Sequence, residues 1–193
     1  MRHRLWFAAL VVFAAFPLGA DEPVEPNMLD LAAHRALARV IVAVARPLDE
    51  FTTDGCSGGL SEAWRVVAGR FPDFAGVHGG TPPWEACCVT HDHAYHAGGR
   101  DREAANDFQD RVAADRALRA CVVDSGRAEA GRLAAVYETT QAEIIDAYQL
   151  IGDTMYLAVR IGGGPCSGLP WRWGFGSAQC AVKPEDLFEP VED

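Results

Sequence analysis

Two adjacent cysteines, Cys87 and Cys88, constrain this chain more than any other feature. They open a stretch from Trp84 to Gly99 that also holds His91, Asp92, His93, Tyr95 and His96, with no Pro or Gly until Gly98-Gly99 closes it. Read as a helix, residues four apart share a face. Cys87, His91 and Tyr95 then form one stripe, and Cys88 with Asp92 forms the next. A helix of this kind can be stapled to other segments through its cysteines. One turn later it presents an imidazole and a carboxylate side by side.

Four more cysteines, Cys56, Cys121, Cys166 and Cys180, bring the total to six. An even count in an exported chain implies a disulfide framework, which for six cysteines has fifteen connectivities. Export is the reading of the first twenty residues. Arg2, His3 and Arg4 make a basic start, Leu5 to Leu18 is apolar, and Gly19-Ala20 offers a small-residue cleavage point. The apolar run is shorter than the ~20 residues a spanning helix needs. Residues 1–20 are therefore expected to be a signal peptide and residues 21–193 one domain, secreted or periplasmic. No integral membrane segment is expected after cleavage. Without the leader the chain carries 15 basic and 27 acidic side chains, a net charge of −12. Phosphate binding needs a basic face, so a nucleic-acid partner is excluded.

The remaining pattern is helical. Asn27 or Asp30 can cap a helix running to about Arg46, before Pro47. Phe51 to Leu60 is a Gly-rich loop whose carbonyls and Asp54 carboxylate suit a hard cation. Ser61 to Arg70 reads as a short helix and Phe71 to Pro83 as a connecting loop. Asp101 to Val123 forms a second long helix, antiparallel to the central one across the Gly-Gly turn. Arg132 to Arg160 is a third, with Gly152 as its break. Gly162 to Cys180 is Gly-rich and aromatic, and the last thirteen residues are acidic and read as frayed. The fold class is all-α: a disulfide-stapled helical domain in which an antiparallel helix pair carries the active site.

The string Cys87-Cys88-Val89-Thr90-His91-Asp92-His93-Ala94-Tyr95 resembles the active-site helix of secretory phospholipases A2. Asp54-Gly55-Cys56-Ser57-Gly58-Gly59 is similar to that family's calcium loop. Asp115, six residues before Cys121, matches its second helix. The Thr-Asp-x-Cys loop and the absence of a β-wing look closer to the bacterial and fungal branch. The resemblance covers roughly residues 51–123, leaving a C-terminal extension outside it. It implies calcium-dependent hydrolysis of the sn-2 ester of phospholipids at a membrane or micelle surface. His91 is then the general base, and Tyr95 helps orient the second carboxylate. Asp92 is the calcium ligand. Gly55 supplies a loop carbonyl in both branches, Ser57 and Gly59 match carbonyls of the vertebrate type, and Asp54 matches a side-chain ligand of the microbial type. The Ser57 amide would face the oxyanion.

The carboxylate that orients His91 is Asp107 if the hairpin is symmetric about Gly99. It is Asp115 if Cys87 pairs with Cys121, as the family pattern implies, and this is the expectation favoured. Cys88 then pairs with Cys56 and Cys166 with Cys180. Two alternatives stand beside this. One is a zinc hydrolase using His91, His93 and His96, though Tyr95 stands where such a motif needs Asp; the blander reading of His93 and His96 is exposed helix residues. The other is a non-catalytic module that binds lipid or protein on the same scaffold. Trp171 and Trp173 either cap the core or sit on the rim of the cleft, where an aromatic ring suits a lipid boundary.

Overall fold

Asn27 opens the first helix by accepting from the amides of Leu29 and Asp30, while the Asp30 carboxylate accepts the Asn27 amide in return. In a computed structural model that describes residues 23–56 and 59–188, six α-helices follow in order: α1 Met28–Val44, α2 Leu60–Arg70, α3 Pro72–His78, α4 Glu85–His96, α5 Ala104–Tyr137 and α6 Gln141–Gly162. A 3-10 turn, Pro184–Leu187, ends the described chain, and no strand occurs among the described residues. Residues 1–20, read above as a signal peptide, lie outside the described residues.

The fold is the expected disulfide-stapled all-α domain. Cys56 pairs with Cys88, Cys87 with Cys121 and Cys166 with Cys180. The second of these sets the register of α4 against α5, which run antiparallel. From that staple outward, His91 meets Asp115, Tyr95 meets Arg111, and the Gly99 amide meets Asp107. The hairpin turns about the segment 97–103 rather than about Gly99. Asp107 therefore lies opposite Gly99 and not opposite His91.

Three local expectations are corrected. Residues 72–78, read as loop, form α3, because Pro72 sits in its first turn, where a missing N–H costs nothing. The helices read as ending at Val123 and starting at Arg132 are instead one 34-residue helix to Tyr137, followed by a tight turn. Glu138 takes a left-handed conformation, and Thr140 with Glu143 makes a capping box that starts α6. Gly152 does not break α6. It faces the Arg119 carbonyl and Val123 of α5, where a Cβ would come within 3.2 Å of that carbonyl oxygen. Gly126 plays the same part on α5: a Cβ there would lie 2.3 Å from the Tyr148 ring. These two glycines let α5 and α6 approach closely.

The core has two parts. Trp84, the two staples at Cys87 and Cys88, Leu118, Val122, Leu133 and Tyr148 form the larger one between α4, α5 and α6. Leu37 of α1, Tyr95 of α4 and Trp173 form the other. The segment after α6 closes this second part and caps α4. The Gly176 amide donates to the His96 carbonyl at the helix end, and the Gly174 amide joins that of Gly98 on the Tyr95 carbonyl. Residues 181–188, read as frayed, are docked on α1. Arg39 grips the Asp186 carboxylate in a two-pronged pair at 3.0 and 2.8 Å. No helix among the described residues is long and apolar enough to cross a membrane.

Candidate active site

His91 and Asp115 are brought together by the α4–α5 register. His91 Nε2 donates to Asp115 Oδ1 at 2.9 Å, and the Tyr95 hydroxyl donates to the same oxygen at 2.7 Å. Asp115 is fully buried and His91 nearly so. With Nε2 committed, Nδ1 is the nitrogen left with a lone pair. Burial, and next the Asp115 charge, push the Tyr95 hydroxyl far above its ordinary range, so it stays a donor.

The other oxygen, Oδ2, accepts from Arg160 Nη1 of α6 at 2.9 Å. Arg111 stands 4.0 Å from the same oxygen. It also donates to the Tyr95 hydroxyl and to the carbonyls of Val159 and Arg160. Asp107, the other carboxylate considered for His91, is used elsewhere. It accepts from His34 Nδ1 of α1 at 2.6 Å, from the Gly99 amide at 2.8 Å and from the Trp173 indole at 3.0 Å. It ties α1, the α4–α5 turn and the C-terminal segment together.

Asp92 faces away from His91, toward the loop that precedes α2. Thr53 donates to its Oδ2 at 2.6 Å and accepts the Gly55 amide at 3.0 Å, so one hydroxyl couples the loop backbone to the carboxylate. Gly55 has φ +82°, and a side chain there would run into Glu85 and Ser61. Glycine lets the loop turn this tightly against α4. Asp92 is 7% exposed, and no Arg or Lys among the described residues pairs with it. Burial raises its pKa, the Thr53 hydrogen bond opposes this, and the nearby Asp54 charge adds to the rise. Gly59 starts α2 with a left-handed φ. Ser57 lies outside the described residues.

Among the described residues no group of three or more His, Cys, Asp or Glu side chains is arranged to hold a metal. A cation here would draw on carboxylates and backbone carbonyls together, a donor set suited to Ca²⁺ and poor for Zn²⁺. The buried, unpaired charge of Asp92 beside Asp54 fits such an ion. The three histidines of α4 do not converge. His93 stacks on Phe51 with ring centroids 3.6 Å apart, and His96 donates to the Asp49 carbonyl at 2.9 Å. His93 is exposed as read, whereas His96 is buried.

His91 and Asp92 both line a cavity of about 200 Å³. Its walls are the Cys56–Cys88 disulfide, Leu60, Leu118, Met155, Val159 and Trp171. It is a largely apolar recess with an imidazole and a carboxylate in its lining. Trp171 lines it, whereas Trp173 is buried core. Nothing in local spacing marked Arg111 or Arg160, which reach the site from other turns and another helix. Thr53 stood in the loop pattern without a role. Compared with known proteins, the chain matches no family model, no curated protein and no solved structure.

Proposed function

We propose that this chain is a phospholipase A2-type carboxylic ester hydrolase that needs calcium and cleaves the sn-2 ester of phospholipids. The observation that carries the reading is the pairing of His91 with the buried Asp115, beside an uncompensated Asp92, where His91 and Asp92 line an apolar cavity. A neutral imidazole whose tautomer is set by a carboxylate can take a proton near neutral pH. His91 Nδ1 takes it from water as the water attacks the ester carbonyl, and returns it to the leaving alkoxide. Asp115 and Tyr95 hold the ring. The apolar walls receive an acyl chain and keep bulk water from the reacting atoms. Asp92 and Asp54, with carbonyls of Gly55, Ser57 and Gly59, would hold Ca²⁺. When bound there, the ion supplies positive charge at the ester carbonyl and phosphate, where negative charge grows in the transition state.

Three disulfides suit an oxidising compartment, so the protein works secreted or in a periplasm. Fatty-acid release from phospholipid vesicles, with and without a calcium chelator, tests the reading. Release occurs with calcium and stops on chelation. His91→Gln lowers kcat by roughly 10²–10⁴, the usual worth of a general base. Asp92→Asn abolishes calcium binding in calorimetry. Retained lipid binding without release by the wild type establishes the non-catalytic module instead.

A further inference from the structure

Asp115 is a fully buried carboxylate with a two-fold choice of which oxygen meets His91. Its Oδ1 is occupied by His91 and Tyr95, both formally neutral donors. Left with these alone, the buried charge would be unbalanced and the carboxylate free to exchange its two oxygens about χ2. Arg160 holds Oδ2 directly, and shares the charge balance with the buried Arg111 guanidinium 4.0 Å from that oxygen. Arg160 Nη1 donates to Oδ2 at 2.9 Å, and its guanidinium carbon lies 5.0 Å from the centre of the Phe108 ring, so the head group is held on a second side. Charge-assisted bonds of this kind are roughly twice as strong as neutral ones.

Arg160 is itself seated. The Arg111 guanidinium donates to the carbonyls of Val159 and Arg160, which fixes the last turn of α6 against α5. Gly163, just past that turn, lies so close to Tyr95 that a Cβ would come within 2.6 Å of the ring. The end of α6 is therefore locked to Arg111 and to Tyr95, which donates to Asp115. Arg160 and Gly163 lie outside residues 51–123, where the resemblance to phospholipases lies.

We infer that Arg160 is a positioning residue for the hydrolysis proposed above: it pins Oδ2 so that Oδ1 stays on His91 Nε2, and it makes α6 a working part of the site. The inference rests on that proposed reaction for its kinetic consequence. Its geometric content is separate.

The test compares Arg160→Gln with Arg160→Lys by kinetics and by NMR of ¹⁵N-histidine-labelled protein. Glutamine offers a shorter, uncharged donor; lysine keeps the charge and more of the reach. Arg160→Gln is expected to lower kcat by about 10–100-fold with KM changed less than about threefold, the scale of lost supporting partners around a site. Its slowly exchanging His91 Nε2–H resonance, present in the wild type, disappears. Arg160→Lys recovers most of the loss in both readouts. Wild-type kcat together with an unchanged Nε2–H signal in Arg160→Gln overturns the inference. So does an equal loss in both variants that simply follows a lowered melting temperature. If the wild type releases no fatty acid, the proposed function fails while the resonance still decides the role of Arg160. Should Arg160→Gln not fold, the wild-type guanidinium decides. Resolved, slowly exchanging Nη protons support a pinned fork, and a single rotationally averaged signal overturns it.

Discussion

Asp107 and Asp115 lie two turns apart on α5, both buried and both bonded to a histidine, and a substitution at Asp107 separates their jobs. Asp107 is 2% exposed and accepts from His34, the Gly99 amide and the Trp173 indole. Asp107→Ala leaves all three as buried donors without a partner. A buried donor stripped of its acceptor costs about 1–3 kcal/mol. Three donors that share one carboxylate do not add in full, so the loss comes to about 3–6 kcal/mol. That is a large part of the ~5–15 kcal/mol by which a domain is stable. At roughly 2–4 °C per kcal/mol for a domain of this length, the melting temperature falls by about 6–24 °C. Calorimetry with the disulfides kept oxidised reads this directly. Activity per folded molecule, measured well below the melting point, stays within about threefold of wild type, because Asp107 touches neither His91 nor the cavity. A loss under about 1 kcal/mol contradicts the bonding energetics. A folded Asp107→Ala protein without activity contradicts the assignment of Asp115 as the orienting carboxylate.

Two further outcomes follow from the same geometry. Trp171→Ala weakens vesicle binding with little change in melting temperature, since this residue lines the cavity, whereas Trp173→Ala costs about 3–5 kcal/mol as a core truncation and affects every substrate alike; equal melting losses in both variants refute the division. The Arg39 hydrogen bond holds the Asp186 carboxyl below its usual range. A depressed carboxylate stabilises the fold above its unfolded pKa, and that contribution is lost as pH falls through the folded value. Acid unfolding of the wild type below about pH 4 therefore includes release of the 184–187 turn, and Arg39→Met flattens that part of the profile; identical acid profiles refute it.

Much of the frame was legible because it rests on local chemistry. The vicinal cysteines, the histidine and the carboxylate one turn later, and the Asp115–Cys121 offset are patterns within single helices. The helix boundaries near Gly126 and Gly131 were not legible. Glycine reads as a breaker, and only the Tyr148 ring packed on Gly126 explains why a helix keeps one there. The true boundary did carry a signal, Thr140 with Glu143 three residues on, which is a capping box. The partners of Asp115 from α6 were hidden for another reason. Arg160 is 45 residues away in sequence, and an arginine on a helix reads as solvated until its partner is known. His96 likewise looked like a surface residue, because the Asp49 carbonyl that receives its proton belongs to a separate loop.

The two staples on α4 pull in different directions. Cys87 is held by α5 and Cys88 by the loop at Cys56, and consecutive helical residues point about 100° apart. The helix is thereby denied rotation about its own long axis. His91 and Asp92, one turn on, inherit the same angular separation: one is aimed at the carboxylate of α5, the other at the Thr53 hydroxyl. Any roll that brought one closer to its target would swing the other away. The aim of His91 and Asp92 is thus a single degree of freedom that covalent bonds have removed. Redesign of this site has only the side chains to work with, because the helix cannot be re-aimed to accommodate them.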